Sequence, residues 1–142
     1  MRPLAALGAL AVALALGACG GPSADLYLVE RTGSTPGARL SMLVGDGGTV
    51  SCNRGPLEEI TSAQLIEARA IADGLNGDEE EPGPAAQGLT LAPQPGSILR
   101  YRVRSEAGVV AFSDTSKGQP EAFYRLARLT RRLAKEACGL AR

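Results

Sequence analysis

The chain has 142 residues, with 15 Lys and Arg against 15 Asp and Glu, and no histidine or tryptophan. Its formal net charge of +0 excludes the overall basicity with which nucleic-acid binders hold phosphates, and three Tyr and two Phe leave little for stacking on bases or sugars. Without histidine, Ser-His-Asp and Cys-His sites cannot be built, and the commonest transition-metal ligand is missing.

Residues 1–18 have the shape of an export signal. Arg2 supplies a minimal positive start, and an uncharged apolar run of about 13 residues follows from Leu4 to Leu16. That run is shorter than the roughly 20 residues a spanning helix needs. Gly17 and Ala18 put small side chains before Cys19, as a signal peptidase requires. The sequence Leu16-Gly17-Ala18-Cys19 resembles the bacterial lipobox, whose cysteine carries a diacylglycerol and becomes the first residue of the mature chain. The resemblance implies a lipoprotein bound to the bilayer through acylated Cys19, on the extracytoplasmic face of the cell membrane, since two acyl chains give stable anchoring. An ordinary secretory signal cut near Ala18 is the other reading. Residues 19–24 would form the lipidated N-terminus and a short tether, and 25–142 a single globular domain.

The three cysteines are an odd number for an exported chain. Lipidation of Cys19 leaves Cys52 and Cys138, an even pair in an oxidising compartment. Their disulfide would close a loop of about 87 residues, the alternative being two separate buried thiols. There is no CxxC spacing and no metal is expected.

The segment "DLYLVERT", 25–32, alternates like a strand, with Leu26, Leu28 and Glu30 on one face and Tyr27, Val29 and Arg31 on the other. "GSTPGA" is a turn-rich connection. "RLSMLV", 39–44, places Leu40, Met42 and Val44 together, and a turn at Asp46–Gly48 leads into "TVSCN", 49–53, as a hairpin. Glu58 and Glu59 would lead into a helix and favour its positive N-terminus. That helix, "TSAQLIEARAIADGL", opens on a capping box of Thr61 and Gln64. It aligns Leu65, Ala68, Ile71, Ala72 and Leu75 on one face.

The Pro/Gly-rich segment 76–97, with acids from Asp78 to Glu81, is expected to be a mobile surface loop. A calcium site is the sharper alternative, but the Asp-x-Asp-x-Asp-Gly pattern is missing. Residues 97–116 predict a second hairpin, in which Arg100, Arg102 and Arg104 alternate with Leu99, Tyr101 and Val103. This arginine stripe is either the wet face of a half-covered sheet or an anionic docking stripe. The last helix spans 120–138, with Pro120 at its first position and Gly139 as its cap. Phe123, Leu126, Ala127, Thr130, Leu133, Ala134 and Ala137 form its apolar arc, with Cys138 at the rim, close enough to a strand beneath to pair with Cys52. Arg125, Arg128, Arg131, Arg132 and Lys135 form the other arc, which either faces anionic headgroups or is simply solvated.

These elements predict an α+β fold: an antiparallel sheet of about five strands, ordered β, β-hairpin, α, β-hairpin, α, with both helices on one face. The stretches "LYLVERTGSTPGARLSMLV", "SAQLIEARAIADGL", "GSILRYRVRSEAG" and "FSDTSKGQPEAFYRLARLTRRLAKEACG" resemble a group of small lipoproteins of high-GC Gram-positive bacteria with no known activity. The pattern "ERTGSTPGARLSM", a capped helix, "LRYRVRSEAGVVAFSDT" and a final helix is also similar to emfourin, a protein inhibitor of thermolysin-like metalloproteases. The latter resemblance points to Thr32, Gly33 and Ser34 of "TGSTPG" as partner contacts and implies a protease as protein partner.

Three function classes follow. The first is a surface-tethered binding or accessory domain without catalysis or cofactor, with the protease inhibitor as its specific form. The second is a cell-envelope component touching anionic lipid or wall polymer through Arg125, Arg128, Arg132 and Lys135. The third is an enzyme built on Glu58 with Glu59, on Asp114 with Lys117, or on Ser113 or Ser116 as nucleophile with Lys117 nearby. Polar turn and cap chemistry accounts for "SDTSK" without catalysis.

Overall fold

The structure, a computed structural model, describes residues 24–141. The expected signal, Cys19 and most of the tether lie outside the described residues. Among the described residues, strands β1 (Asp25–Gly33), β2 (Leu40–Gly45), β3 (Thr49–Cys52) and β4 (Leu57–Glu59) precede helix α1 (Ser62–Asn76). Strands β5 (Leu99–Ser105) and β6 (Val109–Ser113) and helix α2 (Glu121–Glu136) complete the chain. The strands form one antiparallel sheet in the order β4-β3-β2-β1-β5-β6. The α+β architecture is as the sequence predicts, with one strand more.

Alternation sorts each strand onto two faces. Tyr27 and Val29 of β1, Leu40, Met42 and Val44 of β2, and Tyr101 and Val103 of β5 are buried. Glu30, Arg100, Arg102 and Arg104 are exposed on the opposite face. The helices close the buried face. From α1 come Ala68, Ile71, Ala72 and Leu75, and from α2 come Phe123, Leu126, Leu129, Leu133 and Ala134. Leu129 is buried although the expected arc omitted it. Phe123 stacks on Phe112 of β6 at 4.4 Å between centroids, and Phe112 stacks on Tyr101 at 4.9 Å. This ladder of rings ties α2 to the second hairpin. Burial pushes the hydroxyls of Tyr27 and Tyr101 upward in pKa. Glu67 adds to the effect at Tyr27, while Arg31 and Arg131 oppose it at Tyr101.

Helix α1 starts as its capping box dictates. The Gln64 N–H donates to Thr61 Oγ1 at 3.2 Å, and the Thr61 N–H donates to Gln64 Oε1 at 2.9 Å. The same Gln64 amide donates to Glu136 Oε2 at 2.8 Å, linking the two helices. Pro120 is the N-cap of α2 rather than its first helical residue, because helical geometry begins at Glu121. Glu58 and Glu59 do not lead into α1. They lie in β4, opposite Val50 and Thr49, because the turn after Cys52 returns the chain alongside β3.

Cys52 and Cys138 form a disulfide, with Cα atoms 6.2 Å apart. It fastens the end of α2 to the end of β3. At Gly139 (φ 65) the chain turns back, and the Leu140 N–H donates to the Ala134 carbonyl at 2.8 Å.

Segment 76–97 is a packed strap rather than a mobile loop. The Gly83 and Ala85 amides donate to the Asn76 and Leu75 carbonyls, both at 2.9 Å. A Cβ at Gly83 would collide with the Leu75 carbonyl, so the tight approach needs glycine there. Farther on, the Leu91 N–H donates to the Ala111 carbonyl at 2.8 Å, and the Ala111 N–H donates to that of Leu89 at 3.1 Å. The strap thereby pairs with the outer edge of β6. Asp78 Oδ1 accepts from the Glu80 and Glu81 amides, closing a local turn.

Candidate functional site

The wet face of the sheet carries a concave groove of about 780 Å³ at the end where β1 and β6 finish and β2 and β5 begin. Its floor is set by register. Thr32 lies opposite Arg100, and Glu30 lies opposite both Arg102 and Ser41. Arg102 has Ala111 on its other side. Directly opposed side chains on one face lie about 5 Å apart, and residues i and i+2 about 7 Å apart. Arg100 and Arg102 therefore stand as neighbours above the floor.

One wall comes from Arg39, Asn53 and Arg54, and the other from Thr90, Leu91 and Pro93 of the strap. The first wall is held rigidly. Cys52 to Gly55 form a tight turn closed by the Gly55 N–H on the Cys52 carbonyl at 2.9 Å. Both central residues have positive φ, 53° at Asn53 and 60° at Arg54, as a type I′ turn demands. Asn53 also locks onto β2. Its Oδ1 accepts from the Ser41 N–H at 3.0 Å, and its own N–H donates to the Ser41 carbonyl at 2.6 Å.

Charge in the groove is one-sided. Arg39, Arg54, Arg100 and Arg102 are all exposed. Among the described lining residues Glu30 is the single carboxylate, and it pairs with Arg102 at 3.4 Å. With both partners half exposed, that pair leaves most of the positive field in place.

Arg31 belongs to the core face and is 2 % exposed. Its Nε donates to the Ala38 carbonyl at 2.8 Å and its Nη2 to the Gly37 carbonyl at 3.2 Å. The guanidinium thus braces the loop 34–39 from within. The Ser34 N–H adds a bond to the Ile98 carbonyl at 3.1 Å. Thr32 sits in the groove, whereas Gly33 and Ser34 follow it at the exposed strand end.

The basic arc of α2 lies on the other side of the molecule, since α2 packs against the buried face. Arg128 and Lys135 are exposed and Arg125 is half-buried. Arg132 reaches Glu67 at 3.3 Å and Glu136 at 4.0 Å, so it serves the α1–α2 contact. The residues singled out from sequence therefore separate into two places, Thr32 to Ser34 on one side and the helix cations on the other.

The hydroxyls considered as nucleophiles are engaged in structure. Ser116 Oγ accepts from the Ser113 N–H at 2.9 Å and donates to the Ala92 carbonyl at 3.0 Å. Ser113 Oγ accepts from the Thr115 N–H at 3.2 Å. Asp114 accepts from Ser97 Oγ at 3.1 Å and from the Ile98 N–H at 3.2 Å. Together with Thr115 and Gln94 they knot the end of β6 to the strap. Among the described residues, no group of three or more His, Cys, Asp or Glu is placed to hold a metal ion. No helix among them is long and apolar enough to cross a membrane.

Sequence reasoning found the Arg100 and Arg102 stripe but not Arg39 or Arg54. The signal for Arg54 was the Asn-Arg-Gly turn directly after Cys52. No protein-family model, curated protein or solved structure matches this chain.

Proposed function

We propose that this chain is a lipid-anchored, extracytoplasmic binding domain without catalytic activity, and that the arginine-lined groove is its ligand surface. The observation that carries the reading is the convergence of Arg39, Arg54, Arg100 and Arg102 on one cavity with a single, paired carboxylate. Guanidinium groups match carboxylate and phosphate oxygens in paired geometry, so the ligand is an anion. The Cys52–Cys138 disulfide supports an oxidising compartment. The Leu16–Cys19 motif supports the anchor.

The test uses the chain purified from its own membranes. Intact mass is measured before and after reduction, followed by calorimetric titration with small anions at two salt concentrations. The expected result is a chain starting at Cys19 with a diacylglyceryl addition, one disulfide, and salt-sensitive binding of at least one anion. A lipid-free chain overturns the address, and absence of binding for every anion overturns the groove.

A second reading, an emfourin-like protease inhibitor, is favoured by the braced loop 34–39. A loop held by a buried guanidinium has little conformational freedom left to lose on docking. Titration of a panel of thermolysin-like proteases tests it, and failure to inhibit any of them removes this reading.

A further inference from the structure

We infer that the groove takes a phosphate monoester and that Arg54 is the residue that selects it. The inference rests on the anion-groove reading and adds the class of ligand to it. Arg102 lies beside Glu30 in a weak, half-exposed pair. The remaining three guanidiniums, of Arg39, Arg54 and Arg100, form no ion pair among the described residues. Arg100 rises from the floor, whereas Arg39 and Arg54 come from the wall.

A carboxylate is planar and singly charged, and one guanidinium fork satisfies it. A phosphate monoester carries about −1.5 to −2 charge and three strong acceptor oxygens set tetrahedrally. It therefore accepts from donors arriving in different directions, as these do. The hydroxyls of Thr32 and Thr90, both exposed and lining the groove, add neutral donors at its margin. The cavity of about 780 Å³ is far larger than a phosphate group, so the ligand brings an organic body. Leu91, Pro93 and Ala111 offer that body an apolar surface.

Arg54 is the second observation. It occupies the later central position of a type I′ turn, where glycine is the unstrained choice. A Cβ in left-handed backbone is disfavoured, and arginine lacks the short polar side chain that lets Asn53 tolerate it. Among the described residues, no ion pair or hydrogen bond of the Arg54 side chain offsets that strain. The Asn53–Ser41 bonds and the disulfide hold the turn against that strain, and strain held in this way clusters at ligand clamps. The disulfide at Cys52 fixes the base of the turn and so fixes the aim.

The test is calorimetry on the full mature chain with glycerol 3-phosphate and fructose 1,6-bisphosphate, and with citrate, a tricarboxylate of higher charge than a single phosphate, as the control that separates oxygen geometry from charge. Sedimentation with phosphatidylglycerol vesicles, scored as the excess over neutral phosphatidylcholine vesicles so that anchoring through acylated Cys19 cancels, forms the lipid arm. Arg54→Gly and Arg54→Lys are run beside the parent, with urea unfolding of each. Expected are binding of a phosphate ester ahead of citrate, a loss of about 10- to 100-fold in Arg54→Gly, and a smaller loss in Arg54→Lys. The urea midpoint of Arg54→Gly should rise, since glycine relieves the turn. Citrate binding ahead of the phosphate esters overturns the ligand class and leaves the anion groove standing. Excess binding to phosphatidylglycerol, whose headgroup is a singly charged phosphodiester, with neither soluble ester bound overturns the monoester. Unchanged phosphate affinity in Arg54→Gly, or an unraised midpoint, overturns the role of Arg54. No anion bound at all removes the groove reading itself.

Discussion

Replacing both Cys52 and Cys138 by alanine removes a covalent tie between the end of β3 and the end of α2. The bond spans 86 positions of sequence. In the chain-entropy account, closing a loop of that length costs the unfolded chain about 15 cal/mol/K, or about 4.6 kcal/mol at 25 °C. A domain of this size has about 6–18 kcal/mol of stability in total, so the bond carries a substantial share of it. The double variant, rather than a single one, avoids leaving a lone thiol to pair between molecules. With a urea slope of about 2 kcal/mol per molar, the midpoint should fall by roughly 2 M. The slope itself should rise, because the unfolded chain expands once the loop is open. Parent protein unfolded in reductant should follow the same curve as the variant. A loss below about 1 kcal/mol would refute the reasoning, because the unfolded chain would then already be compact enough for the tie to cost it nothing.

Phe123→Ala should cost about 3–5 kcal/mol, since the ring is fully buried and stacked on Phe112; the same urea experiment checks it. Thr61→Ala should cost about 1 kcal/mol through loss of the side-chain acceptor for the Gln64 N–H, and a change indistinguishable from zero would show the cap to be dispensable. Tyr27 and Tyr101 both stay protonated in the fold beyond the ordinary value of 10.0, chiefly through burial. The unfolded chain releases those protons first. It therefore binds fewer protons above about pH 10, and stability falls as the pH rises from there toward the folded-state values. Phenolate absorbance from these two rings should appear together with loss of the helical signal, and its appearance well before unfolding would contradict the burial argument.

Local chemistry made much of the fold legible. The Thr61–Gln64 box set the start of α1, and the phase of Tyr27, Val29 and Arg31 marked the core face of β1. The cysteine pair followed from an odd count. Strand β4 was not legible, because Leu57 to Glu59 is too short to show alternation and all three residues are exposed. The strap was hidden for a different reason. Proline and glycine announce irregular backbone but not what it leans on, and the contacts that hold Ala85 and Leu91 are with α1 and β6. The groove was hidden because Arg39, Arg54 and Arg100 are brought together only by strand register and one turn. Arg31 showed its phase but not its purpose, since bracing the Gly37 and Ala38 carbonyls is a matter of three-dimensional reach.

The two borders of the sheet are unequal, and this bears on how copies of the protein behave when crowded. Unpaired strand borders recruit neighbouring chains through main-chain hydrogen bonds. The β6 border is occupied by the chain's own Leu89–Leu91 backbone. The other border, β4, offers three residues, two of them glutamates, with Pro56 just ahead. Two copies meeting there would set like charges against each other and find few main-chain groups to share. An anchor that confined the protein to a surface would raise its local concentration. A sheet closed on one side and acidic on the other would still keep each copy separate, leaving the arginine face uncovered.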